Sequence, residues 1–248
     1  MTAMKKLAAL ILVLLIAGAI YWWNLPATVK GPHSEQEFEY IVRITGNGSS
    51  SDTLPMIITL HGQGDTPKKF FDTLLNKFDQ PARFVVLKGI MDFPGGRWGG
   101  RGWPMDANGL RKCGNALADA VPVFLERFPT KGKPIVLGFS SGAGIAYYLA
   151  AYHGEQFSYL FPLSGRLPNG LITDKAESNS DVARTIAFHG RTDQVIGFRQ
   201  GELTVRNLKQ EGMDVDFITF NGGHLGIFQS AKPLVMKQLS DAVMEITP

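Results

Sequence analysis

A serine sits between glycines in the run VLGFSSGAGIAYYLAAY (136–152), as Gly138-Phe139-Ser140-Ser141-Gly142. A hydroxyl at the centre of such a pattern, on a sharp strand-to-helix turn, becomes a nucleophile when a base takes its proton and an acid orients the base. Taken alone, the pattern is an ordinary glycine turn. Two later segments hold the missing residue types. AFHGRTDQVIGF (187–198) places Asp193 in a loop just past a strand, where a carboxylate can orient a histidine and stabilise its charged form. FITFNGGHLGIF (217–228) places His224 after the last strand and a pair of glycines, which permit a loop that reaches back over the sheet. An earlier segment, LHGQGDTP (60–67), has glycines at 62 and 64 that let the backbone turn and bare its N–H groups to developing negative charge. Its plainer reading is a connection with Asp65 capping the next helix.

Each assignment has competitors. Ser141 is a second hydroxyl, but Ser140 holds the centre of the pattern, and Ser141 would contribute its backbone N–H. Asp174, Asp181, Asp214 and Asp216 compete with Asp193, yet none follows so clear a strand with a hydrophobic loop beyond it. Among the other histidines, His33 precedes the first long strand, His61 and His189 belong to glycine turns, and His153 ends a helix. The loop FPGGRWGGRGWPMD (93–106) also follows a strand. It reads either as irregular surface with tryptophans packed inward or as a substrate wall. As a wall, Trp98 and Trp103 would give flat apolar contact, and Arg97 or Arg101 would bind an anionic group.

Short apolar runs alternate with helical patterns and would position these residues. EFEYIVRI (37–44) has the period of two expected of a half-buried edge strand. PMIITL, RFVVL, PIVLG, YLFPL, TIAFH and DFITF are predicted buried strands. Helical patterns cover 68–78, 110–128, 143–153, 197–212 and 233–246, with Pro122 expected to kink or break the second. The alternation predicts one α/β domain over 37–248, with a mostly parallel central sheet and helices on both faces. Sites in such sheets gather at the carboxyl ends of the strands.

The N-terminal 26 residues read as a signal anchor or a signal peptide, and 27–36 as a tether. Lys5 and Lys6 precede an uncharged run over 7–23 that ends Tyr21-Trp22-Trp23. Its length falls between a secretory core and a membrane span, and the aromatic end favours an uncleaved hydrophobic helix. With Ala17-Gly18-Ala19 as a peptidase site, the alternative is secretion after cleavage. Either way the domain is exported. Removing the two lysines leaves 23 basic and 22 acidic residues, a net charge of +1 that argues against nucleic acid as a partner. The single cysteine, Cys113, excludes an internal disulfide and a cysteine-rich metal site.

The blocks LHGQGDT, GFSSG, HGRTDQVI and GGH, in that order, resemble the signature blocks of the phospholipase/carboxylesterase family, which includes the acyl-protein thioesterases. Related blocks occur in dienelactone hydrolases and polyhydroxybutyrate depolymerase-like esterases. The resemblance runs from about residue 54 to the C-terminus and implies an α/β-hydrolase fold. It implies Ser140 as nucleophile, His224 as base, Asp193 as orienting acid, and the Gln63 and Ser141 N–H groups as oxyanion hole. The implied reaction is hydrolysis of a small-molecule carboxylic ester, or of a thioester, with no metal or organic cofactor. A peptidase of the same fold and a non-catalytic hydrolase-fold binding protein are the alternatives. The chain departs from the family in Ser141-Gly142-Ala143 after the nucleophile and in Trp103-Pro104-Met105-Asp106, which bears on substrate choice.

Overall fold

Every residue of the runs MIITL, IVLGF and YLFPL is buried, as strands covered on both faces must be. The computed structural model describes residues 27–93, 100–168, 170–171 and 183–247. The strands are β1 (Ala27–Lys30), β2 (Glu37–Thr45), β3 (Met56–Leu60), β4 (Ala82–Leu87), β5 (Met91–Asp92), β6 (Arg101–Gly102), β7 (Ile135–Phe139), β8 (Tyr159–Leu163), β9 (Arg184–Gly190) and β10 (Val215–Phe220). Eight of them form one sheet in the order β1-β2-β4-β3-β7-β8-β9-β10, and β5 and β6 pair separately. From β4 through β10 every pairing in the large sheet is parallel, while β1 and β2 run antiparallel at one side.

The period of two in each strand divides the core between the faces. Met56, Ile58 and Leu60 face a cluster with α2 (Ala107–Arg127), α3 (Ser141–His153) and α4 (Phe198–Gln210). Ile57, Phe84 and Leu137 face a second cluster with α1 (Pro67–Phe70), the wider π-helical turn Phe71–Leu75 that continues it, and α5 (Lys232–Glu245). This is the α/β-hydrolase architecture, and it brings the loops after β3, β7, β9 and β10 to one end of the sheet.

Four local expectations are corrected. Residues 27–36 are not simply a tether: β1 pairs with β2, and its Val29 is buried in the core. Four residues are too few to display a period, so the strand is specified by that tertiary pairing. It follows that β2 is not the edge. Helix α2 runs through Pro122 as one element, with Pro122 exposed while Val121 and Phe124 are buried. The ring faces solvent, and packing of its neighbours holds the helix together across the missing N–H. The cap of α1 is Thr66, whose hydroxyl accepts the Lys69 N–H, while Asp65 accepts the Thr66 N–H. The hydrophobic run over 7–23 lies outside the described residues. Among those described, no helix is long and apolar enough to cross a membrane.

Candidate active site

Ser140 joins β7 to α3 with φ 54° and ψ −114°, a conformation that costs a non-glycine residue free energy. The turn is held because its N–H donates to Leu163 O at 2.9 Å. The flanking glycines are required by close approach. A Cβ on Gly138 would lie 2.3 Å from Gly142 O, and one on Gly142 would lie 2.4 Å from Leu60 O. The turn therefore presses helix α3 onto the end of β3 and presents the Ser140 side chain at the sheet's carboxyl end.

His224 opens a short 3-10 turn after β10 and points its ring back across the sheet. A carboxylate accepts only, so Nδ1 carries the proton and donates to Asp193 Oδ2 at 2.8 Å. Nε2 is then free to accept from the Ser140 hydroxyl at 2.9 Å. Asp193 is buried, and its other oxygen accepts the Val195 and Ile196 N–H groups at 2.9 and 3.0 Å. Those two bonds fix the carboxylate that fixes the imidazole. Ser141 differs: its hydroxyl is buried without a hydrogen-bond partner among the described residues. Asp214 and Asp216 instead ion-pair with Arg184, and Asp174 and Asp181 lie outside the described residues.

The loop after β3 lies against Ser140, since a Cβ on Gly62 would sit 3.4 Å from Ser140 Cβ. Ser141 is the first residue of α3, so its N–H belongs to the donors that a helix start leaves without an intrahelical partner. The neighbouring Gly64 and Asp65 N–H groups are paired to Arg101 O and Gly62 O, whereas Gln63 N–H has no acceptor among the described residues. These two N–H groups, one in the loop after β3 and one at the start of α3, are thus donors with no acceptor among the described residues.

Behind the loop stands His61, fully buried, with Nδ1–H donating to Gly62 O at 2.7 Å and Nε2 accepting the Gly89 N–H at 3.0 Å. Burial holds its pKa below the ordinary histidine value, so the ring stays neutral. His189 is likewise fully buried and held low by burial, with Nε2–H donating to Ile196 O at 2.8 Å and Nδ1 against Gly201. Its Nε2 also stands 3.5 Å from Asp193 Oδ2, which makes it a second imidazole beside the acid.

The glycine-rich segment braces the site. Trp103, only 1% exposed, donates its Nε1–H to His61 O at 2.9 Å, so it props the loop from beneath and forms no cleft wall. Arg101 directs three of its five guanidinium N–H groups to Gly89 O, Ile90 O and the Asp92 carboxylate, which ties it into its own loop, and it is not among the residues lining the cleft beside Ser140. Trp98 and Arg97 lie outside the described residues. The cleft beside Ser140 is lined by residues the motifs did not reveal, including Met105, Leu110, Arg166 and Ile196. For Arg166 a signal was available: SGRLP follows β8, at the same strand ends that carry the other site residues.

The Phospholipase/Carboxylesterase family profile matches residues 47–232. The chain belongs to the phospholipase/carboxylesterase family. Among curated members and relatives, acyl-protein thioesterase 1 homolog 1 of Dictyostelium discoideum is 33% identical over 103 residues, 40% of this chain and 44% of that protein. A probable feruloyl esterase C of Aspergillus flavus is 26% identical over 189 residues, 73% of this chain and 64% of that protein. The chain thus spans less than two thirds of either relative. In fold, it matches the crystal structure of Zea mays acyl-protein thioesterase 2 with a TM-score of 0.65 at 22% identity, covering 82% of this chain and 99% of that one. Family membership accounts for the order of the four blocks, and the geometry around Ser140 gives that order a physical meaning.

Proposed function

We propose that the protein hydrolyses carboxylic esters, with thioesters as second choice, through an acyl-enzyme on Ser140. The observation that carries this is the unbroken relay from Asp193 through His224 to Ser140, at 2.8 and 2.9 Å, ending on a serine held at positive φ. In this reading Ser140 Oγ attacks the acyl carbonyl as its proton passes to His224 Nε2. The Gln63 and Ser141 N–H groups hold the oxyanion. Collapse expels the alcohol, protonated by His224, and leaves the acyl group on Ser140. Water then attacks the acyl-enzyme, gives its proton to His224, and the acid departs with Ser140 restored. The family and its named thioesterase and feruloyl esterase relatives support ester chemistry. A fluorophosphonate probe tests the reading. Labelling of the wild-type protein that disappears in Ser140→Ala is expected, and an unlabelled wild type overturns it.

We further infer that residues 7–23 anchor the chain in a membrane with the hydrolase domain on the exported side. Support comes from the uncharged run itself, from Lys5 and Lys6 before it, and from the aromatic Tyr21-Trp22-Trp23 at its end.

A further inference from the structure

We propose that Arg166 recognises a carboxylate on the substrate, so that the preferred esters are anionic, with the charge a few bonds from the scissile carbonyl. This rests on the hydrolase reading above and names its substrate class. The argument begins with the backbone after β8. Ser164 is buried at φ 50°, one of two non-glycine residues at positive φ among those described, and its N–H donates to Phe188 O at 2.8 Å. Such strain persists only where the surroundings enforce it, and it often marks functional positions. Here it turns the chain over the start of α3. A Cβ on Gly165 would lie 3.1 Å from Ser140 O, and one on Gly144 would lie 3.4 Å from Arg166 O. Arg166 is thereby laid against the helix whose first turn flanks the Ser140 hydroxyl.

Among the described residues, the cleft it lines is otherwise uncharged. Arg166 shares its lining with Ser140, Ser141, Met105, Leu110 and Ile196. No hydrogen bond, ion pair or ring contact engages its guanidinium among the described residues. Arg101 shows the contrast, with three protein acceptors for the same group. A half-buried cation with mostly apolar neighbours and no acceptor among the described residues is a fork suited to a planar anion. Among the described residues lining the cleft Arg166 is the one cation, and a single guanidinium suits the single charge of a carboxylate better than a doubly charged phosphate.

The test compares esters matched in size. Monomethyl glutarate carries the carboxylate on the acyl side, butanoylglycolate carries it on the alcohol side, and methyl 5-methylhexanoate is the neutral reference. Hydrolysis is followed by acid release, and the quantity read is the ratio of kcat/KM, anionic over neutral. In Arg166→Gln this ratio is expected to fall about tenfold or more for one of the two anionic esters, chiefly through KM. The arm that falls identifies the side of the ester that carries the charge. Arg166→Lys, which keeps the stem and the charge but not the fork, is expected to lose about threefold. It supplies the measurement if the Gln variant does not fold. Hydrolysis with ratios unchanged in the substituted protein for both anionic esters overturns the assignment of Arg166 alone. A wild-type protein that hydrolyses none of the three esters and takes no fluorophosphonate overturns the hydrolase reading beneath it.

Discussion

Two adjacent hydroxyls with opposite surroundings are the sharpest contrast at the scale of single residues. Ser140 Oγ meets His224 Nε2 at 2.9 Å, whereas Ser141 Oγ is buried with no partner among the described residues. Ser140→Ala is therefore expected to lose ester hydrolysis by about 10⁴-fold or more, and Ser141→Ala far less, because only its N–H faces the reaction. Equal residual kcat in the two variants would contradict this. Asp193→Asn changes one donor–acceptor role while the Oδ1 side can still accept the Val195 and Ile196 N–H groups. An amide NH₂ turned toward Nδ1 would favour the wrong tautomer of His224. Turnover should fall about 10³- to 10⁴-fold. A melting temperature close to wild type, measured on the same sample, separates this from unfolding.

At the scale of elements, the site depends on how closely α3 can approach β3. Gly142 is where they touch: a methyl there would meet Leu60 O at 2.4 Å and His61 O at 2.7 Å, both backbone atoms. Neither can yield without moving the strand or the loop that holds Gln63. Gly142→Ala should therefore destabilise the fold by about 1–3 kcal/mol and reduce activity in the fraction that folds. Gly197, where a methyl would meet nothing within 4 Å, provides the control. Gly197→Ala should melt within a degree or two of wild type. Denaturant titration of both variants checks the contrast. The segment Arg101–Gly102 acts at the same scale, since its backbone pairing with the β3 loop and the Trp103 bond to His61 O hold that loop from behind.

The whole molecule responds to acid through its buried histidines. His61 and His189 both have folded-state pKa values below the ordinary 6.5 because burial penalises the charged ring. The unfolded chain then binds more protons below that value. Their contribution to stability is present above about pH 6.5 and is lost as pH falls from there toward the folded pKa. The melting temperature should decline through this window, and one that rises on acidification would refute the expectation. Cys113 adds no reactivity: it is buried, and its thiol is pushed up to about 12. For the chain as a whole, the near-neutral remainder leaves little for electrostatic adhesion to lipid. The full-length protein should stay with membranes through high salt and alkaline carbonate, while a chain starting just before β1 should be released. Exported protein whose N-terminus begins at Ile20 would show cleavage instead.

Sequence alone determined the features that are local or periodic. The buried strands show as apolar runs, the helices as repeats of three to four, and the elbow as glycines around Ser140, because each is set by neighbours within a few residues. The order of Ser140, Asp193 and His224 along strand ends was legible for the same reason. Long-range approach was not. Residues 27–30 are a strand only because β2 lies beside them, and Pro122 stays helical only because its neighbours are packed. The arginines and tryptophans of one loop look alike in sequence. The fold places Trp103 under His61, engages Arg101 with three acceptors, and instead turns Arg166 from another strand end toward Ser140. Which cation lacks a partner among the described residues depends on every acceptor within a few ångströms, and that is fixed by the tertiary structure.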